Sequence, residues 1–160
     1  MTGFPEDLAV QVAMIHRYGS TFIARRLEDL GIGSGQHAYI LALEDRPGAS
    51  QEELSGILGV DKANTARAVR RLGRNGYILR ERDPADARAF RLRLTGDGAA
   101  TLARIREALS EWNRILVSGL DESRSALARG IVAELARAAR DGIQRPSSRR
   151  KNSQSEDSGR

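Results

Sequence analysis

At 160 residues the chain is long enough for one domain with a packed core, and 26 Lys and Arg against 21 Asp and Glu leave a modest formal charge of +5. It contains no cysteine, which excludes disulfides, thiol redox sensing and cysteine-ligated metal. No apolar run approaches the roughly 18 residues that span a bilayer, and no signal-peptide pattern is present, so a cytoplasmic protein with no membrane partner is expected.

Residues 6–30 place Leu8, Val12, Ile15, Phe22, Ile23, Leu27 and Leu30 along one long helix, with Gly31 as its stop. Gly33-Ser34-Gly35 is a loop, and Ser34 or Gly35 falls near the start of the next helix. No buried strand precedes these glycines and no Gly-Lys-Ser/Thr follows, so they do not make a phosphate loop. A second helix is expected from about His37 to Asp45 on Tyr39, Ile40 and Leu43, and Arg46-Pro47-Gly48 breaks it.

Ser50 and Glu53 form the S-x-x-E capping box of a third helix, with Leu54, Ile57 and Leu58 as its apolar side. Gly59 can take the left-handed conformation that stops it, and Asp61 can N-cap the next. In that fourth helix, Lys62 to Leu72, the residues Thr65, Ala68, Val69 and Leu72 fall at i, i+3, i+4 and i+7 and form one buried stripe. Lys62, Asn64, Arg67, Arg70 and Arg71 take the opposite face. A slim helix with a polar, cationic outer side is what a DNA major groove admits.

Two strand-like runs follow, Tyr77 to Arg82 and Phe90 to Leu94. In the second, Phe90, Leu92 and Leu94 alternate with Arg91 and Arg93, giving one buried and one cationic face. The Pro- and Asp-bearing segment Asp83 to Ala89 is the loop between them, whose tip can carry an arginine toward a neighbouring minor groove. Charge is distributed accordingly. Residues 62–93 hold ten basic and three acidic side chains, whereas residues 1–61 hold four and nine. Residues 94–144 balance at seven of each, and residues 145–160 hold five basic and two acidic groups. An ordinary solvated surface mixes signs, so this concentration favours a phosphate-facing surface.

Thr95 can N-cap a long helix with Asp97 in its first turn. Leu102, Ile105, Leu109, Trp112 and Leu116 then recur at steps of 3 and 4, a heptad-like seam in which Trp112 is a core residue. Gly119 and Asp121 mark a break before a final helix striped by Leu127, Ile131, Leu135 and Ala138. Residues 145–160 are a basic tail expected to be disordered. A winged helix-turn-helix closes its own core with fewer residues than this. Residues 6–30 and 100–142 are therefore expected to interlock two chains in a homodimer, which sets two recognition helices on one DNA face.

In this order and at these spacings the motifs resemble the MarR (multiple antibiotic resistance regulator) family over about residues 6–142. The residues concerned are Gln51-Glu52-Glu53-Leu54 through Leu72, Gly76-Tyr77-Ile78, Asp83-x-x-Asp86-x-Arg88 and Leu94-Thr95-x-x-Gly98. The resemblance implies a mainly α fold with a small β-wing. It divides residues 1–142 into a winged helix-turn-helix over 36–95 and dimerisation helices over 6–30 and 100–142. It also implies a transcriptional repressor that binds a pseudo-palindromic double-stranded operator and lets go when a small-molecule effector binds between the two parts. Carried over by position, Lys62, Ala63, Asn64, Ala66, Arg67, Arg70 and Arg71 are the DNA-facing positions of the recognition helix. Asp86 matches the wing aspartate that orients an arginine, and Arg88 matches the arginine that enters the minor groove. Pro84 and Ala85 stand where many members have a basic pair, which leaves fewer phosphate contacts.

No catalytic, cofactor or metal site is expected. Glu28-Asp29, Glu44-Asp45 and Glu52-Glu53 are sequential pairs whose side chains do not converge on a helix face. Of the two histidines, His16 and His37, the second follows the loop into its helix and is the candidate for effector contact. Two other classes stay open. One is a winged-helix module for protein assembly, which a neutral recognition face would favour. The other is a nonspecific architectural DNA binder, which Arg149-Arg150-Lys151 would suit.

Overall fold

A computed structural model describes residues 6–84, 86 and 89–144 of the chain. The expected tail, residues 145–160, lies outside the described residues. The order of elements is α1 (Leu8–Arg26), a 3-10 turn (Glu28–Leu30), α2 (His37–Asp45), α3 (Gln51–Leu58) and α4 (Lys62–Arg74). There follow β1 (Ile78–Arg82), β2 (Phe90–Leu94), α5 (Gly96–Ala100), α6 (Leu102–Leu116) and α7 (Glu122–Gln144). Mostly helix with a two-stranded antiparallel wing, this is the winged helix-turn-helix architecture anticipated from the sequence. It divides into two compact units, one through Ser118 and one from Gly119.

Asp7 caps α1, accepting from the Val10 N–H at 3.1 Å. The helix ends at Arg26, short of the expected run to Leu30. Beyond it the chain tightens into the 3-10 turn and closes a Schellman-type stop around Gly31 at φ +64°. Gly31 N–H donates to Glu28 O and Ile32 N–H to Leu27 O. The gain is apolar: Leu27 and Ile32 both disappear into the core. Neither Ser34 nor Gly35 caps α2. The Gln36 side chain instead accepts the Gly33 N–H at 3.0 Å, folding the loop onto the helix start.

Leu27, Ile32, Ile40, Leu43, Leu54, Leu72, Leu92 and Ile105 are fully buried, so one core joins α2, α3, α4, β2 and α6. Each such side chain contributes roughly 1.5–3 kcal/mol of transfer free energy. In the wing, Ile78 pairs with Leu94, Arg80 with Leu92 and Arg82 with Phe90. Gly48 N–H donates to Leu92 O at 2.8 Å and Leu92 N–H to Ala49 O at 3.0 Å, which anchors β2 to the segment before α3.

The long helix expected from Thr95 is two helices. Thr95 caps α5 through the Gly98 N–H at 2.9 Å, and its hydroxyl donates to Gly76 O at 2.6 Å. The break falls at Thr101, whose hydroxyl donates to Gly98 O at 2.7 Å. This lets the first turn lie against the wing root while α6 takes its own direction toward α1. Along α6, Leu102 and Ile105 are buried and Leu109 partly so. Trp112 is half-buried, its indole against Gly19 and its ring centroid 5.7 Å from that of Phe22. Leu116 is exposed, so the seam opens at its C-terminal end. Charged pairs tie α6 down, Arg106 with Glu44 at 2.6 Å and Arg26 with Glu111 at 2.5 Å.

In the second unit, Asp121 accepts the Arg124 N–H at 2.8 Å at the start of α7, where the Gly119 break was expected. The striped residues Leu127, Ile131 and Leu135 are exposed, Leu127 at 63 %. No described helix is long and apolar enough to cross a membrane.

Candidate nucleic-acid interface

The turn between α3 and α4 is built by caps. Ser50 and Glu53 make the reciprocal capping box, Glu53 Oε2 accepting the Ser50 N–H at 2.7 Å and Ser50 Oγ the Glu53 N–H at 3.2 Å. Those bonds hold the Glu53 carboxyl below its ordinary pKa. Gly59 stops α3 at φ +63°, and Ser55 Oγ donates to Val60 O at 2.5 Å across the turn. Asp61 then opens α4 by accepting the Asn64 N–H at 2.8 Å.

Thr65, Val69 and Leu72 seat α4 on the core, with Ala68 partly buried, as the period required. Thr65 Oγ1 lies 3.3 Å from the Tyr39 hydroxyl, so a buried hydrogen bond fixes α4 against α2. Opposite this stripe, Lys62, Ala63, Asn64, Arg67, Arg70 and Arg71 are all exposed and Ala66 is half-exposed. The helix runs two residues beyond the expected end, which adds Arg74.

These positions are not electrostatically equal. Lys62 Nζ sits 2.7 Å from Glu52 Oε1 on α3, and its hydrogen bond, then its charge, lower the Glu52 pKa. Asn64 and Arg67 belong to a polar chain that starts at Asp61. Among the described residues, no ion pair engages Arg70, Arg71 or Arg74.

The wing departs from expectation in charge rather than in fold. Arg91 and Arg93 are exposed on one face, as the alternation required. Each is paired with an acid, however: Arg91 Nε with Asp83 at 2.8 Å and Arg93 Nε with Glu81 at 3.1 Å. Arg80 lies over the Phe90 ring, 3.7 Å from its centroid. The two arginines of β2 are therefore answered by acids, whereas among the described residues Arg80 and Arg82 on β1 and Arg70, Arg71 and Arg74 on α4 are exposed with no ion pair. Asp86 is exposed, and Arg88 lies outside the described residues.

Behind the recognition face, a cleft of about 680 Å³ runs between α1 and α4. His16 and Ser20 line it from α1, Gln36 and Tyr39 from the α2 side, and Asn64, Arg67, Arg71 and Arg74 from α4. His37 is half-buried and is not part of this lining. Burial lowers its pKa. His16 is thus the histidine of the cleft; its spacing of four from Ser20, on the face of α1 opposite Tyr18, was the available sequence signal. The partners of Arg91 and Arg93 were also missed, because they depend on hairpin register: Glu81 opposite Arg91 puts Glu81 diagonal to Arg93. Among the described residues no cluster of three or more His, Asp or Glu is placed to hold a metal ion.

The family model described as MarR matches residues 32–90. The HTH-type transcriptional regulator BilQ of Clostridium symbiosum is 32 % identical over 101 residues, covering 63 % of this chain and 70 % of that protein. The crystal structure of a MarR transcriptional regulator from Methanosarcina mazei Go1 superposes with a TM-score of 0.76 at 34 % identity. It covers 86 % of this chain and 96 % of that one. A Listeria monocytogenes protein solved in complex with 26mer DNA shares the fold at a TM-score of 0.77 and 20 % identity, over 86 % of this chain and 91 % of its own.

Proposed function

Because the chain belongs to the MarR family of transcriptional regulators, we propose that it is a repressor that binds a pseudo-palindromic operator as a homodimer and is released by a small-molecule effector. The observation that carries sequence-directed DNA binding is the outer face of α4. It presents Asn64, Arg67, Arg70, Arg71 and Arg74 on a helix whose other side is locked to the core by Thr65, Val69 and Leu72. Arg67, nearer the helix N-terminus, is the base reader, and Arg71 is a backbone contact. Arg88, steadied by Asp86, is assigned the minor groove.

Dimerisation is supported by apolar side chains that stay exposed among the described residues. Leu8, Val12 and Ile15 on α1, Ile115 and Leu116 on α6, and Leu127, Ile131 and Val132 on α7 are all exposed. That is far more than scattered single side chains on a monomer. The effector is assigned to the cleft between α1 and α4, because Arg67, Arg71 and Arg74 contribute to both the cleft and the DNA face. A ligand that engages them there competes directly with phosphate.

The deciding experiment titrates the full chain against its own promoter DNA and against random DNA of equal length across salt concentrations, with sedimentation run in parallel. Operator binding should be at least about 10³-fold tighter than random binding, and the sedimenting species should have twice the chain mass. Equal affinity for both DNAs at every salt concentration would establish the architectural alternative. A monomer that binds a palindrome tightly would refute the dimer.

A further inference from the structure

Resting on the sequence-specific reading above, we infer that Asn64 does not read a base but positions Arg67, with Asp61 holding the Asn64 amide, so that the three side chains form one preset guanine reader. Asp61 accepts twice from Asn64: from the backbone N–H at 2.8 Å as the N-cap of α4, and from the side-chain Nδ2. The other end of the same amide, Oδ1, accepts from Arg67 Nη2. A carboxylate only accepts and a guanidinium only donates, so the amide has one allowed orientation between them.

That orientation bears on what Asn64 can do. Asparagine reads adenine by presenting its oxygen and its nitrogen together to N6 and N7. Here the two atoms are turned to opposite partners, one toward the start of the helix and one toward its next turn. The Asp61 carboxyl is held below its ordinary pKa, first by the Asn64 backbone N–H and then by its side chain, so it remains an acceptor at neutral pH.

Arg67 is left with the greater capacity. It is exposed, and its guanidinium has five N–H donors, of which the Asn64 contact uses one. The remainder include a parallel pair that fits guanine O6 and N7. The flanking outward positions are Ala63 and Ala66, too small to hinder its approach to a base edge. A long side chain already restrained by Asn64 loses less rotamer freedom on docking than a free one. The small residues on this face and the fixed amide thus describe a narrow reader: one base pair per half-site, specified by one arginine.

The test uses the full-length protein and a DNA library randomised one base pair at a time through the half-site. Arg67→Ala should reduce preference for guanine at one position by about 10- to 100-fold. Asn64→Ala should reduce preference at that same position by about 3- to 10-fold. Their double variant should be no worse than Arg67→Ala alone. Asp61→Ser keeps a side-chain N-cap but lacks the second oxygen that holds the amide; it should reproduce the Asn64→Ala defect with helix content unchanged. If Asn64→Ala instead loses preference at a different base pair, or if the two losses add, Asn64 reads its own base and the inference is wrong. If the wild type selects no base anywhere in the half-site, the sequence-specific reading fails and the inference falls with it.

Discussion

Gly96 and Gly98 stand two residues apart in α5, and replacing each with alanine should move stability in opposite directions. A Cβ on Gly98 would lie 2.1 Å from the Tyr77 carbonyl oxygen and 3.0 Å from its carbon, whereas one on Gly96 would meet nothing within 4 Å. Relief at Gly98 requires α5 and the wing root to separate by about 1.4 Å, since non-bonded heavy atoms settle near 3.5 Å. The same Tyr77 carbonyl accepts the Thr95 N–H at 3.0 Å, and the Thr95 hydroxyl donates to Gly76 O at 2.6 Å, so separation strains both bonds. Overpacking costs roughly 1–3 kcal/mol, and each weakened hydrogen bond up to about 1 kcal/mol. Against this, the alanine restricts the unfolded chain and returns about 0.4–1 kcal/mol. Gly98→Ala should therefore lose about 2–3 kcal/mol, a large share of the roughly 5–15 kcal/mol typical of a domain, while Gly96→Ala should gain up to about 1 kcal/mol. Urea denaturation followed by circular dichroism reads both as shifts in midpoint at constant slope. A Gly98→Ala midpoint indistinguishable from wild type, or a shift of the same sign in both variants, would refute the close approach.

Two further predictions concern single side chains. Burial lowers the His37 pKa, so between its ordinary 6.5 and its folded value the unfolded chain takes up a proton that the folded chain refuses. Its contribution to stability is thus complete above pH 6.5 and declines as pH falls through that window; the thermal midpoint measured from pH 7.5 to 5 should drop less steeply for His37→Gln, and parallel curves would contradict the assignment. Arg88→Ala should weaken operator binding and erase preference for A·T pairs beside each half-site, with Asp86→Ala giving a milder form of the same defect. Simple electrostatics predicts the reverse for Asp86→Ala, so tighter operator binding by that variant would rule out an orienting role.

Legibility in the sequence tracked how local each determinant is. The capping box at Ser50 and Glu53, the left-handed stop at Gly59 and the cap at Asp61 are short-range devices, and each appears in the structure as expected. The buried stripe of α4 follows from period alone. The ends of α1 and the Thr101 break do not, because both are decided by distant partners. Leu27 leaves the helix to bury itself beside Ile32, and α5 is set against the wing root where Gly98 meets the Tyr77 carbonyl, three residues before the break at Thr101. The same distinction separates the histidines. Its place after a loop singles out His37, and His16 lines the cleft only because residues from α1, the α2 side and α4, distant in sequence, share its wall.

Charge shows why composition is a poor guide to a binding face until pairs are known. Residues 62–93 carry ten basic side chains, yet three of them are already answered: Lys62 by Glu52, Arg91 by Asp83 and Arg93 by Glu81. The exposed pairs among them, Lys62 with Glu52 and Arg93 with Glu81, contribute little to stability. Their effect is on where DNA phosphates find uncompensated charge. On the wing strands, Asp83 and Glu81 oppose the two arginines nearest the sheet's outer face, so phosphate must displace a carboxylate to reach them. On α4, Arg70, Arg71 and Arg74 have no such competitor among the described residues. In the binding mode proposed above, phosphate meets unpaired cations along the helix that also holds Arg67, with Arg80 and Arg82 on β1 as the other exposed arginines that no ion pair engages among the described residues. In the release mode proposed above, a ligand in the cleft that draws Arg71 and Arg74 inward would weaken phosphate contact and groove entry together, so that two side chains rather than a rearrangement of the whole fold would carry the coupling.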